Sequence, residues 1–179
     1  MKFEKLLQSH YKDFAEMVYT KSFPEDERRE FPLIIELLSS KKEIFEFYTL
    51  VQKSSNNPVG ILSLWNFESF CYIEHFAIEK SLRGKSLGSK ALKQLMQKID
   101  KPIVLEVEPP TTFDAAKRIE FYTKFGFRII DKEYIQPPYS KDKSSLKMKI
   151  MTNNNLIEKE ISFENIVKIL YKEVYNQVL

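Results

Sequence analysis

A single cysteine, Cys71, stands in a chain of 179 residues, which excludes an internal disulfide and any cysteine-built zinc cluster. Its flanks, Phe70 and Tyr72, describe a small buried thiol on a strand rather than a nucleophile. Long apolar runs are also missing. None approaches the roughly 20 residues that span a bilayer, and the opening Met1-Lys2-Phe3-Glu4 carries no apolar signal segment. The expectation is a cytoplasmic protein with no membrane partner and no metal. Excess charge of one sign is absent too: the formal net charge is +3, with Lys and Glu interspersed. A nucleic-acid partner is not expected, because the basic stripe that would mark one is missing. Internal repeats and low-complexity blocks are absent. What is there, 43% hydrophobic and 30% charged residues, suits a sizeable core under a solvated surface, and the length suits one domain, 1–179.

Periodicity orders the elements. A short strand is placed at Lys2 to Lys5. Tyr11, Phe14, Ala15 and Val18 fall at helical spacing, and Ser22-Phe23-Pro24 ends that helix. A second helix runs from Asp26 to Ser39, with Pro32 arguing for a late start. Three strands follow at Ile44 to Val51, Val59 to Phe67 and Phe70 to Ile78, closely spaced as in an antiparallel meander. From Leu87 the period changes, and Ala91, Leu92, Leu95, Met96 and Ile99 mark an amphipathic helix. A strand at Ile103 to Val107 precedes a helix from about Ala115 to Phe125, which Gly126 closes. Strands at Phe127 to Tyr134 and Leu146 to Met151 flank the polar loop Gln136 to Ser145. Asn153-Asn154-Asn155 reads as a turn. Ser162 then caps a last helix of about 162–179 whose apolar face is Phe163, Val167, Leu170, Val174 and Val178. The strand–helix–strand alternation implies a parallel crossover within a mixed sheet, hence an α/β (α+β) class with helices covering the sheet.

The informative stretch is Tyr72-Ile73-Glu74-His75-Phe76-Ala77-Ile78, then a short loop, then Arg83-Gly84-Lys85-Ser86-Leu87-Gly88-Ser89. A strand leads through a small-residue turn into a helix start. That arrangement aims unpaired backbone N–H groups and the positive helix end at one point, which favours a phosphate. Gly84 and Gly88 allow close backbone approach, and Arg83 and Lys85 add positive charge. A plain tight turn with a helix cap is the other reading. A Walker A loop fits less well, because its first glycine would fall on Glu79.

On these residues the chain resembles the GNAT superfamily of acyl-CoA-dependent N-acyltransferases, whose fourth strand leads into an Arg/Gln-x-x-Gly-x-Gly/Ala turn that holds the CoA pyrophosphate. Here the turn reads Arg83-Gly84-Lys85-Ser86-Leu87-Gly88, with Ser86 where the family prefers glycine. Arg118-Ile119-Glu120-Phe121-Tyr122-Thr123-Lys124-Phe125-Gly126-Phe127 resembles the family's helix ending in Phe-Tyr-x-x-x-Gly-Phe. The likeness covers about 1–151; the last helix lies outside it.

The resemblance implies acetyl-CoA as cosubstrate, bound by Phe76, Ala77 and Ile78 along the strand and by Arg83, Gly84, Lys85, Ser86, Leu87, Gly88 and Ser89 at the turn. It implies that the fourth and fifth strands splay to admit the pantetheine arm, and that a strand N–H stabilises the oxyanion. The acceptor would be a primary amine of a small molecule or peptide. Such an amine, with a pKa near 10.4, needs a base. Glu74 is the candidate, beside the thioester site inside an apolar strand; a surface-facing glutamate is the alternative. By strand alternation His75 points to the opposite face. Tyr122 would protonate the departing CoA thiolate, or else simply pack the helix on the sheet. Glu106 and Glu108 alternate with Leu105 and Val107, so that one face could line the acceptor side of the cleft and attract a cationic amine; charged residues at an exposed strand end is the plainer reading. The charged run Ser22 to Arg29 lies where the family builds its acceptor wall, though such runs are usually solvated. A monomer or homodimer is expected. The competing functions are a catalytically silent acyl-CoA sensor on the same fold and an unrelated nucleotide-binding domain.

Overall fold

The computed structural model describes residues 1–153 and 162–177. The elements are β1 (Lys2–Lys5), α1 (Lys12–Ser22), α2 (Phe31–Ser40), β2 (Phe45–Gln52), β3 (Asn57–Asn66), β4 (Cys71–Ile78), α3 (Leu87–Met96), β5 (Ile103–Val107), α4 (Phe113–Thr123), β6 (Arg128–Ile129), β7 (Tyr134–Gln136), β8 (Leu146–Thr152) and α5 (Phe163–Ile169). A wider π turn, Leu170–Val174, continues α5. The sheet runs β1-β2-β3-β4-β5-β8-β6, with β7 also on β8. Every pairing is antiparallel except β4 with β5, so α3 is the crossover that the alternation required.

Two apolar layers sandwich the sheet. One face carries Phe45, Phe47, Ile61, Trp65 and Tyr72 beneath α1, α2 and α5. The other carries Leu50, Leu62, Ile73, Ile103 and Leu105 beneath α3, with Phe127 and Tyr122 from the end of α4. Among the described residues no helix is long and apolar enough to cross a membrane.

Local chemistry accounts for most boundaries. Pro32 sits in the first turn of α2, where its missing N–H costs nothing, so the helix starts late. Thr112 caps α4 by accepting from Ala115 N at 3.2 Å, which starts that helix ahead of Ala115. Gly126, at φ +83°, closes α4, and Phe127 N reaches back to Tyr122 O at 3.2 Å. One expected strand, Phe127 to Tyr134, is divided into β6 and β7. The exposed charged run Asp131-Lys132-Glu133 separates them, with Lys132 N turned back on Ile130 O at 2.8 Å. In the last helix the buried side chains are Ile166, Leu170 and Val174. The expected Asn154, Asn155 and Val178 positions lie outside the described residues.

Candidate active site

The ladder between β4 and β5 holds for three pairs, ending at Ile73 with Leu105. Beyond it the strands part, and among the described residues the β5-facing edge of Glu74 to Ile78 has no strand partner. A cavity of about 510 Å³ opens into this gap. It runs from the turn before α3 to the aromatic residues beneath α5, within the size range of small-ligand clefts.

Main chain builds one end. Arg83 Nε donates to Ile78 O at 3.0 Å, tying the turn to the end of β4. Gly84 (φ +80°) and Ser86 (φ +58°) both take left-handed conformations, turning the chain sharply into α3. The serine thus bears strain that glycine would not, and its side chain makes no capping bond. The first intrahelical bond is Lys90 N to Ser86 O at 3.0 Å, so the amides of Leu87, Gly88 and Ser89 lack helical acceptors and sit at the positive helix end. Phe76, Ala77, Ile78, Arg83, Gly84, Ser86, Leu87, Gly88 and Ser89 all line the cavity. Lys85 is exposed and is not part of the lining.

Tyr122 lines the middle of the cavity. Among the described residues its hydroxyl has no hydrogen-bond partner, while its ring packs on Phe121 and Phe127 at 5.2 and 5.6 Å. Burial pushes its pKa up to about 12, against the opposing charge of Arg118. The phenol is therefore protonated at neutral pH.

Side chains build the other end, and here strand alternation fails. The β3–β4 register slips between Ser63 and Leu64, so that Ser63 opposes His75 and Leu64 opposes Ile73. Glu74 is the extra residue of a β-bulge. Its carboxylate and the His75 ring consequently share the α1–α2 face, with Nδ1 and Oε2 3.6 Å apart. The expectation of opposite faces is corrected by that bulge. His75 Nε2 donates to Glu27 O at 3.0 Å, and Ser63 Oγ lies 3.2 Å from Nδ1.

Glu74 is neither surface-facing nor free. Its side chain is 0% exposed; it is ion-paired with Arg29 and accepts from Trp65 Nε1 at 3.0 Å and from Tyr139 Oη at 3.2 Å. Burial opposes its ionisation, but the Arg29 guanidinium and the bond with His75 outweigh burial and hold the carboxyl well below the usual range. Such a carboxylate is a poor proton acceptor at neutral pH. Arg29 also donates to Val174 O in the π turn and lies 4.4 Å from the Tyr139 ring centre. Arg28 and Arg29, placed by their sequence in a solvated charge run, are both buried: Arg28 Nε donates to Phe23 O within that run at 3.2 Å, and Arg29 meets acceptors on β4 and in the π turn.

Glu106 does not sit at an exposed strand end. It lines the cavity and accepts from Tyr134 Oη at 2.6 Å and Tyr175 Oη at 2.8 Å. Tyr72 Oη lies 3.3 Å from Tyr175 Oη. Burial raises the Glu106 pKa to about 7, with the two tyrosine bonds pulling down and the charge of Glu74 pushing up. Sequence reasoning missed this cage. Tyr134, Tyr139 and Tyr175 follow no motif spacing, and only the fold gathers them. Cys71 is buried, and burial raises its thiol to about 12.

A family model described as Acetyltransferase (GNAT) family matches residues 5–127. A solved structure from Bacteroides thetaiotaomicron, assigned to GNAT-family acetyltransferases, is 32% identical with a TM-score of 0.86 and 98% of each chain covered. Arabidopsis thaliana Naa50, solved with the bisubstrate analogue CoA-Ac-MVNAL, is 16% identical with a TM-score of 0.60, covering 86% of this chain and 97% of that one. At that identity the likeness is one of fold. The Bacillus subtilis (strain 168) protein YjbC, assigned as an acetyltransferase, is 39% identical over 70 residues. That stretch is 38% of this chain and 36% of YjbC, so the chain spans about a third of that relative's length.

Proposed function

The chain belongs to the acetyltransferase (GNAT) family, and on that premise we propose that it moves an acetyl group from acetyl-CoA to a primary amine within a ternary complex. The observation that carries this reading is one continuous cavity joining a phosphate-suited turn, a protonated phenol and a carboxyl group of near-neutral pKa.

The pyrophosphate is held by the amides of Leu87, Gly88 and Ser89, with Arg83, Gly84 and Ser86 shaping the turn and Lys85 adding long-range positive charge. The pantetheine arm lies along the unpaired edge of Phe76, Ala77 and Ile78. Its thioester then rests between Tyr122 and Glu106.

The base is reassigned from Glu74 to Glu106. A carboxyl titrating near 7 accepts a proton from an alkylammonium far better than one held ionised by Arg29. Glu106 takes the proton, and the free amine attacks the thioester carbon. A β4 amide stabilises the oxyanion of the tetrahedral intermediate. Collapse breaks the C–S bond as Tyr122 gives its proton to the thiolate. The second amine proton, left on nitrogen by the attack, passes to the phenolate and restores Tyr122, and Glu106 gives its own proton to solvent. Desolvation raises the thiol's pKa as it raises the phenol's, which keeps the two within reach of transfer. Glu74 becomes a positioning residue: it orients Arg29 and Tyr139 and, by its charge, raises the proton affinity of Glu106.

Thiol release from acetyl-CoA across a panel of primary amines tests the reading. Wild-type protein releases CoA with at least one amine, and Tyr122→Phe loses kcat by about 10²-fold or more with acetyl-CoA binding unchanged. A Tyr122→Phe variant of undiminished kcat would remove the phenol from the mechanism.

A further inference from the structure

The tip 137–145 of the β7–β8 hairpin begins and ends beyond β5 as seen from β4, yet it fastens on the β4 side of the gap. Lys143 Nζ, on a side chain only 9% exposed, donates to Arg28 O at 2.5 Å and lies 3.4 Å from Glu30 Oε1. Ser144 N donates to Asp26 Oδ1 at 3.0 Å. These partners belong to the segment between α1 and α2, which is itself held to β4 through Glu27 O with His75 and Arg29 with Glu74. Nearer β7, Tyr139 lies over the Arg29 guanidinium and packs at a tilt against Tyr175 with ring centres 5.1 Å apart.

The hairpin tip therefore crosses the splayed strands above the acceptor end of the cavity. Lifting it would break both polar ties, the Tyr139 hydrogen bond to Glu74 and the contact of the Tyr139 ring with the Arg29 guanidinium. A lysine this well covered has already lost its rotamer freedom, so the closed form is favoured before any ligand arrives. From these contacts we infer that the hairpin tip is a fixed strap, latched by Lys143 and Asp26, that limits the acceptor to a compact free amine and excludes amines carried on a polypeptide. The inference rests on the acetyltransferase reading and names the substrate class for that same cavity. An extended chain leaving the chamber would have to pass where the strap lies, whereas a small molecule can be enclosed beneath it.

Binding of two conjugates separates the possibilities without requiring turnover. In one, CoA is joined through an acetyl group to propylamine; in the other, through the same group to the N-terminus of pentaalanine. Both are titrated by calorimetry into wild-type protein, Lys143→Ala and Asp26→Ala, with CoA alone as reference. Wild-type protein binds the propylamine conjugate at least as tightly as CoA, and the peptide conjugate about tenfold or more weakly than the propylamine one. Either substitution brings the two conjugates to within about threefold. A peptide conjugate that binds wild-type protein as tightly as the propylamine conjugate overturns the strap, as does a discrimination that survives both substitutions. Absence of CoA binding would overturn the acetyltransferase reading itself, an outcome distinct from equal binding of the two conjugates.

Discussion

The two ends of the cavity are built from different materials. At the turn before α3 the working groups are consecutive main-chain amides, and the side chains contribute by being small or by allowing a left-handed bend at Gly84 and Ser86. At the acceptor end the working groups are side chains drawn from far apart: Arg29, Glu74, Glu106, Tyr139 and Tyr175 meet only because β4, β5, the β7–β8 hairpin and the π turn converge. A main-chain site tolerates sequence drift, since any residue brings an amide. A side-chain site changes with each substitution. On the proposed reading, one fold can therefore keep its cofactor while the acceptor varies.

The largest expected effect falls on the acceptor end. Glu106→Gln should lower kcat by about 10²–10⁴-fold while acetyl-CoA affinity stays within twofold, measured by thiol release and calorimetry. It should also stabilise the protein at alkaline pH. The Glu106 pKa is raised in the fold to about 7 from an ordinary 4.5. Its contribution to stability is thus fully present below about 4.5 and is lost as pH rises through 7. The amide lacks that loss, so its Tm should exceed wild type at pH 8 by several degrees, at about 2–4 °C per kcal/mol. Equal melting temperatures at pH 8 would contradict the raised pKa.

Next in size is Arg29→Met, which leaves the Glu74 charge buried and unpaired at a cost of about 3–5 kcal/mol, read from urea unfolding at pH 7. Glu74 behaves oppositely to Glu106. Its pKa is lowered by the fold, so its stabilisation is present above about 4.5 and fades as pH falls below that value. The difference between wild type and Arg29→Met should narrow at acid pH.

Tyr175→Phe removes one hydrogen bond that favours ionised Glu106. The acid limb of the pH–rate profile should move up by roughly one unit, since a bond to a charged group is worth about 1.5–3 kcal/mol. A merely structural tyrosine would change the height of the profile and not its position. The smallest effect belongs to the cofactor end. Ser86→Gly relieves left-handed strain but adds freedom to the unfolded chain, so stability should change by less than about 1 kcal/mol, with acetyl-CoA bound no more weakly.

This contrast also explains how far the chain could be read before its structure. The turn before α3, the proposed cofactor end, was legible as a turn and helix start because its determinants are contiguous: a strand, an arginine, two glycines and an amphipathic period beginning at Leu87. The helix holding Tyr122 was legible through Gly126. The order of elements, the parallel crossover and the late start of α2 followed from periodicity and proline. The acceptor end was obscured by two physical events. A one-residue bulge at Glu74 broke the alternation on which the placement of His75 depended. Burial also reversed the meaning of charge, since Arg29 and Glu106 look like solvated residues until their partners on other elements are known. The three tyrosines at 134, 139 and 175 lie beyond the stretch, 5–127, that the family model matches.

The central claim is that the gap between β4 and β5 binds acetyl-CoA through the turn before α3 independently of the acidic acceptor end. Calorimetric titration of acetyl-CoA into wild-type and Glu106→Gln protein, with ATP as control, tests it most directly. Micromolar affinity in both proteins, equal within twofold and with no response to ATP, is the expected result. No binding of acetyl-CoA to wild-type protein, or binding of ATP of comparable strength, would contradict it.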